Sequence, residues 1–310
     1  MSQFGIHHVT AISGEARRNV DFYTRILGLR LVKKTVNFDD PGAWHLYYGD
    51  EAGTPGTILT FFPWAQAAEG RLGAGELQET VFRVPQASVG FWTHRLTAAG
   101  VPELTRSERF GETVLSFRDP DGMRLALLGM AGIEREPGWA SAEIPAEHAL
   151  RGFHSVSLML EDSAATGAIL SDVLGFAEAA REGHVTRFQA PGTAVGGIVD
   201  LRAVGGFLRG RMGRGSVHHL AFRAADDAAE AEMVRKLAAN HGIATTEQKD
   251  RNYFRSVYFR EPGHVLFEIA TDAPGFAVDE PAERLGQTLK LPHFLEPQRA
   301  EIESHLPALS

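Results

Sequence analysis

The chain has no cysteine among its 310 residues, which excludes disulfides, thiolate nucleophiles, iron–sulfur clusters and cysteine-bound zinc together. Any metal must be held by nitrogen and oxygen. Long apolar runs are missing too. Nowhere do about 18 apolar residues follow one another, and the opening MSQFGIHHVTAIS has neither the basic nor the long apolar segment of a leader. No membrane partner is expected, and the cytoplasm is the expected compartment. A broad basic field is also lacking, since 31 Lys+Arg face 39 Asp+Glu and the arginines are scattered apart from Arg209, Arg211 and Arg214. Nucleic acid is therefore not an expected partner. Neither a phosphate-binding GxxxxGK loop nor a GxSxG elbow occurs. The glycine clusters GRLGAG and GGFLRGRMGRG read instead as flexible loops with solvated arginines.

What remains is ordinary for a folded chain, with 44% hydrophobic and 23% charged residues. The length exceeds one typical core, so two domains or a repeated unit are expected. Repetition is legible. Four times, a short alternating strand leads to a helix closed by glycine and then to strands separated by turn signals, a β-α-β-β-β order. In the first copy IHHVTAI is the strand and Ser13 the expected N-cap; Ala16, Val20, Tyr23 and Leu27 form the buried stripe of a helix that Gly28 stops. LRLVKKTV, WHLYYG and GTILTFF follow. The second copy runs from ETVFRV through a helix ending at Gly100 to LTRSERF, TVLSF, the turn Asp119-Pro120-Asp121-Gly122 and MRLALLG. The third opens at GFHSVSLML, closes its helix at Gly175 and continues through VTRFQA and GGIVDLRA. The fourth begins at VHHLAFRA, has its helix from about Asp226 to His241 before Gly242, and ends in RSVYFREPGHVLFEIA, where Glu261-Pro262-Gly263 mirrors the earlier turn.

One such unit cannot bury both its helix and the concave face of its sheet. An α+β fold follows, with four βαβββ modules paired into two domains whose curved mixed sheets surround a cleft. The stretch EREPGWASAEIPAEHAL reads as a linker between an N-terminal pair of modules, residues 1–135, and a C-terminal pair, residues 150–273. Residues 274–310 form a tail, in which Pro297 suits the first turn of a helix carrying Ile302 and Leu306 on one side.

The repeat is its own control, because a structural residue recurs at equivalent positions while a site residue need not. The first strand carries His7 and His8, the third His154, the fourth His218 and His219, and the second none. Neighbours on a strand point to opposite faces, so one member of each pair is expected to face the cleft. Hydropathy leaves open which one. Glu268 stands in the apolar run HVLFEIA, where a buried carboxylate needs a cation, hydrogen bonds or a proton; the second copy keeps Leu127 at the matching place. Two imidazoles and one carboxylate on strands lining one cleft form a facial set that leaves adjacent coordination positions open. Arg251, Tyr253 and Tyr258 are weaker candidates, able to supply a cation and phenols near such a metal. Asp200 is the third copy's acidic counterpart and would form a second site with His154.

The four modules, opened by IHHVT and VHHLAF, resemble the vicinal oxygen chelate superfamily, which includes glyoxalase I and the extradiol dioxygenases. IHHVT, WHLYYGDEAGTPGTILTFFP, RGFHSV, VHHLAF, RNYF, SVYFR and VLFE together resemble its ring-cleaving dioxygenases that act on hydroquinones. The resemblance implies that His8, His219 and Glu268 bind Fe(II), or Mn(II) in its place, with the first and fourth modules meeting at the metal. It implies catalytic roles for His7, Thr10, His218, Arg251 and Tyr258, a small aromatic substrate bound through its ring hydroxyl, and O2 as co-substrate. A meeting of the third and fourth modules would put His154 in place of His8. The alternatives are a glyoxalase-like lyase or isomerase using Zn(II) or Ni(II), a metal-free small-molecule-binding protein, and a structural module whose histidines are core residues. A homo-oligomer is compatible with the sequence.

Overall fold

The computed structural model describes residues 4–309. The first module comprises β1 (Ile6–Ser13), α1 (Ala16–Asp21), which runs on as a π-helical turn, β2 (Arg30–Asn37), β3 (Asp40–Gly49) and β4 (Ile58–Pro63). The second holds β5 (Glu76–Pro85), α2 (Val89–Ala98), β6 (Thr105–Arg109), β7 (Glu112–Arg118) and β8 (Arg124–Met130). The third holds β9 (Phe153–Leu160), α3 (Ala164–Asp172), β10 (Ala177–Glu182), β11 (Val185–Gln189) and β12 (Ile198–Ala203). The fourth holds β13 (Val217–Ala224), α4 (Asp227–His241), β14 (Lys249–Asp250), β15 (Arg255–Arg260) and β16 (Leu266–Thr271).

The modules join as two eight-stranded sheets, ordered β14-β15-β16-β13-β1-β4-β3-β2 and β10-β11-β12-β9-β5-β8-β7-β6. The first module thus continues into the fourth, and the second into the third. The halves 1–135 and 150–273 do not each build a sheet; each gives one module to each sheet. At both seams the opening strands run antiparallel, β1 on β13 and β5 on β9.

Modules consecutive in sequence touch between the sheets instead. The turn after β7 reaches the first helix: Tyr23 donates to Asp119 Oδ2 at 2.9 Å, Gly14 N to Asp121 Oδ2 at 2.9 Å, and Arg18 also donates to Asp121. The mirrored turn after β15 does the same for the third module, where Thr166 donates to Glu261.

Local signals hold at the helix ends. Gly28, Gly100, Gly175 and Gly242 all have positive φ just past their helices, and Asp226 caps α4 by accepting from Ala229 N. Ser13 is not the cap of the first helix. That place falls to Glu15, which makes no side-chain cap bond, because Ser13 is still the buried last residue of β1. The sequence reading also missed β10 and β14, whose residues are almost all exposed and lack an apolar alternation. The glycine clusters are not independent loops. Bridges join Glu69 to Arg214, Arg71 to Arg211 and Ala74 to Arg209, so closely that a Cβ on Gly73 would lie 2.4 Å from Gly210 N. The tail closes the β2 edge of the first sheet: Leu289 bridges to Lys34, and Ile302 of α5 (Arg299–His305) packs with Val36, Leu291 and Leu295.

Candidate metal centre

All eight residues of β1 are buried, which is why hydropathy leaves the facing of its histidines undecided. Pairing with β13 settles it. Thr10 stands opposite His219 and His8 opposite Ala221, so His8, Thr10 and His219 share one face of the sheet. In the parallel pairing of β13 with β16, Glu268 lies opposite Ala221, and Tyr258 lies opposite Glu268 in turn.

Among the described residues, one set of three metal-ligating side chains converges: His8, His219 and Glu268, all buried. His8 Nε2 and His219 Nε2 are 3.3 Å apart, and they lie 3.2 and 2.9 Å from Glu268 Oε2. Neighbouring ligands around a cation bound at about 2.1 Å have separations of this order. Glu268 is fully buried, yet neither carboxylate oxygen has a donor aligned with it: the imidazole nitrogens approach within ion-pair distance but do not meet hydrogen-bond geometry. An orphaned carboxylate facing two ring nitrogens fits a bound cation.

The electrostatics agree. Burial opposes ionisation of Glu268, but the His8 and His219 rings hold its carboxyl well below the usual carboxylate range. Burial lowers His219 and lowers His7 well below 6.5, the second also through His8; burial and then His219 bring His218 down to about 3. An unprotonated His219 and an ionised Glu268 are the forms in which these groups would bind a divalent metal.

His7 and His218 do not turn away as strict alternation predicts. The pairing passes from Ile6–Phe222 to His8–Ala221 and from Thr10–His219 to Ala11–Val217, so His7 and His218 are each the extra residue of a bulge. Each thereby reaches its neighbour, with Nδ1 to Nδ1 distances of 2.9 Å for His7–His8 and 2.8 Å for His218–His219. If Nε2 of His8 and His219 is to bind metal, their Nδ1 carries the proton and donates to His7 and His218. His218 then presents Nε2–H.

A cavity of about 310 Å³ opens over this triad. His45, Phe62, Trp64, His218, Phe254 and Tyr258 line it, with Asp39, Lys249 and Arg251 at its polar side. Arg251 donates to Tyr258 OH at 3.3 Å and to Asp39 at 3.1 Å, and the Tyr258 ring stands edge-on to His219. Burial, then Glu268, pushes the Tyr258 phenol up, so it stays protonated. Thr10 is buried beside the triad and accepts from Thr60 at 2.9 Å. Tyr253 belongs elsewhere: it donates to Asp279 at 3.0 Å beneath Lys33, clamping the tail. His45, Phe62 and Trp64 were not singled out from the sequence. Alternation places His45 with Tyr47, and Thr60 with Phe62, but only the sheet order puts those pairs beside the triad.

Register also places the counterparts. Glu268 corresponds to Ala126, not Leu127, because Glu261 N to Val265 O and Asp119 N to Met123 O close equivalent turns although the second turn has one more residue before its glycine. Asp200 is the true counterpart in the third module, but it forms no metal site with His154. Arg187 engages both Asp200 oxygens at 2.8 and 2.9 Å, while His154 lies on the other sheet from His8, 3.5 Å from Glu112. The second sheet's cleft, about 660 Å³, is thus crossed by guanidinium–carboxylate pairs, Arg109 with Glu79 being another. The cations there are arginines.

Residues 5–127 match the family model described as the glyoxalase/bleomycin resistance protein/dioxygenase superfamily. MhqO of Bacillus subtilis (strain 168), classed as a ring-cleaving dioxygenase, is 46% identical over 97% of this chain and 95% of its own. The chlorohydroquinone/hydroquinone 1,2-dioxygenase of Sphingobium indicum is 33% identical over 96% of this chain and 94% of its own. A crystal structure of a protein classed as a dioxygenase from Bacillus subtilis superposes with a TM-score of 0.94 at 44% identity, covering 100% of this chain and 98% of that one. Glyoxalase I from Zea mays, at 13% identity and a TM-score of 0.66 over 87% of this chain and 92% of its own, shares the fold. With full-length relatives of this kind and the paired-module fold, the chain belongs to the glyoxalase/bleomycin resistance protein/dioxygenase superfamily, among relatives classed as ring-cleaving dioxygenases.

Proposed function

We propose that this protein is an Fe(II)-dependent, extradiol-type dioxygenase that opens the ring of a hydroquinone or related dihydroxylated aromatic with O2. The observation that carries the reading is the convergence of His8 Nε2, His219 Nε2 and Glu268 Oε2 beneath an aromatic-walled cavity, within a full-length likeness to ring-cleaving enzymes. When bound, Fe(II), or Mn(II) in its place, would bring the ring oxygen and O2 together and carry electrons between them.

The chain's own groups suit an ionised ring oxygen. Phe62, Trp64 and Phe254 give flat apolar walls for a six-membered ring. His218, in the tautomer that the ligand role of His219 imposes, offers Nε2–H and therefore donates rather than accepts. Tyr258 already accepts from Arg251 and Ser256, which leaves its own proton for the cavity. Arg251 adds a fixed positive charge. Each of these favours a phenolate over a phenol. His7 holds the Nδ1 side of His8 as His218 holds that of His219.

The lyase alternative fits less well. Glyoxalase-type sites add a second carboxylate, whereas the position related to Glu268 by the β1–β13 two-fold is Thr60: Thr10 faces Thr60 as Ala221 faces Glu268.

The test is anaerobic purification, metal analysis, reconstitution with Fe(II), and O2 uptake with hydroquinone and with catechol. Stoichiometric uptake that is abolished in Glu268→Ala is expected. Full Fe(II) loading without uptake on either ring would sink the dioxygenase reading.

A further inference from the structure

The side of the site opposite Glu268 is built from polar groups with no assigned role. Thr60, in the place of a second carboxylate, has its oxygen 2.8 Å from His45 Nε2 and donates its own proton to Thr10 at 2.9 Å. Tyr47 OH lies 3.0 Å from His45 Nδ1. With Thr60 donating to Thr10, the other protons follow. Because the Thr60 proton is spent on Thr10, Thr60 can only accept from His45, so Nε2 carries the imidazole proton. Nδ1 is then bare and accepts from Tyr47. The imidazole is held in place between the Tyr47 and Phe62 rings, with centroids at 4.1 and 4.3 Å. Burial keeps it neutral, as this chain of bonds requires.

The result is a one-way line of donors, Tyr47 to His45 to Thr60 to Thr10. Among the described residues no hydrogen bond uses the Thr10 hydroxyl as a donor, and Thr10 shares its sheet face with His8 and His219. In the two-fold-related half of the site the counterparts run the other way, Ser256 donating to Tyr258 at 3.3 Å.

We propose that His45 is a positioning residue: by donating to Thr60 it fixes the polarity of the line, so that the Thr10 proton is presented to the ring oxygen of the bound aromatic. This rests on the ring-cleaving reading for the identity of the ligand, and on the hydrogen-bond chain alone for its direction. A group that acted on the cavity directly would change the ionisation of a bound phenol whether or not Thr60 is present. A group that acts through the line would not.

The probe is 4-nitrocatechol, whose absorbance reports its ionisation, bound without oxygen to the Fe(II)-loaded protein and titrated with pH. His45→Leu removes the donor, whereas His45→Gln keeps an N–H near the place of Nε2. In His45→Leu the ionisation midpoint of the bound probe is expected to rise by about one pH unit, and kcat/KM for hydroquinone to fall about tenfold at unchanged metal content. His45→Gln should recover much of both. Thr60→Val should match His45→Leu, and the double variant should be no worse than either, since one chain is broken twice. An unshifted midpoint in His45→Leu or, if that variant does not fold, in Thr60→Val overturns the proposal; so does additivity of the two. The absence of O2 uptake by the wild type overturns the ring-cleaving reading instead, and the midpoint comparison still decides the role of His45.

Discussion

At the residue scale, Glu268 combines full burial with two oxygens that lack aligned donors, a costly arrangement without a cation. Glu268→Leu should therefore lose bound metal, while the melting temperature of the metal-free protein holds or rises. A metal-loaded Glu268→Leu protein would count against the triad. The outer histidines act on the same metal through Nδ1. His7→Ala and His218→Ala should each weaken metal affinity about 10- to 100-fold, measured by competition with a chelator. Unchanged affinity would reduce the bulged histidines to packing. Glu268 and the His7-His8 and His218-His219 pairs were singled out in the sequence because they break an otherwise repeated pattern, with the family resemblance choosing His8 and His219. Thr60 and His45 were not, since a threonine and a histidine on ordinary-looking strands gain meaning only from the register that aligns Thr60 with Glu268.

At the element scale, the two turns that look alike in sequence do the same work in space, each pinning a module of the other sheet. Tyr23→Phe removes one donor from Asp119, and about 1 kcal/mol of unfolding free energy should go with it. Asp119→Ala should cost more, about 2 kcal/mol, because the Asp121 and Met123 backbone N–H groups, at 2.9 and 2.8 Å, lose their acceptor as well. Denaturant titration distinguishes these from an interface that merely touches, for which both changes would be silent. The bulges at His7 and His218 are the element-scale feature that reading by period two could not reach. A bulge leaves the hydrophobic pattern of β1 and β13 intact while re-aiming one side chain.

For the whole molecule, His8 of the first module meets His219 and Glu268 of the fourth only when the chain has closed its first sheet. A fragment of residues 1–135 lacks His219 and Glu268 and leaves β1 without its β13 partner. It should neither bind metal stoichiometrically nor stay monodisperse, and co-expression with the remainder should restore both. Acid should act on the whole fold. Burial, the first cause in each case, lowers His7, His45, His218 and His219 from 6.5, His218 to about 3. Between those values the unfolded chain binds more protons than the folded one. The stability tied to these neutral rings is thus complete above pH 6.5 and is lost as pH falls below it, for His218 down to about 3. A calorimetric melting temperature of the metal-free protein should decline across that window. His218→Phe should flatten the decline; an equally steep fall would mean that other groups dominate.

The sequence by itself determined the module and its count, the glycine-closed helices, the absence of sulfur ligands, and Glu268 with one histidine of each His-His pair as candidates to hold a metal, because these depend on local periodicity and on breaks in a repeat; the choice of His8 and His219 came from the family resemblance. Only the tertiary structure decided which modules share a sheet, which face each histidine takes, that Asp200 faces an arginine, and that Thr60 and His45 complete the wall of the site. The sharing of sheets and the facing of the histidines rest on strand pairing between residues some 200 positions apart, such as Thr10 with His219, where a one-residue bulge changes the neighbour without changing the pattern, and the rest follows from where that pairing sets the neighbouring strands.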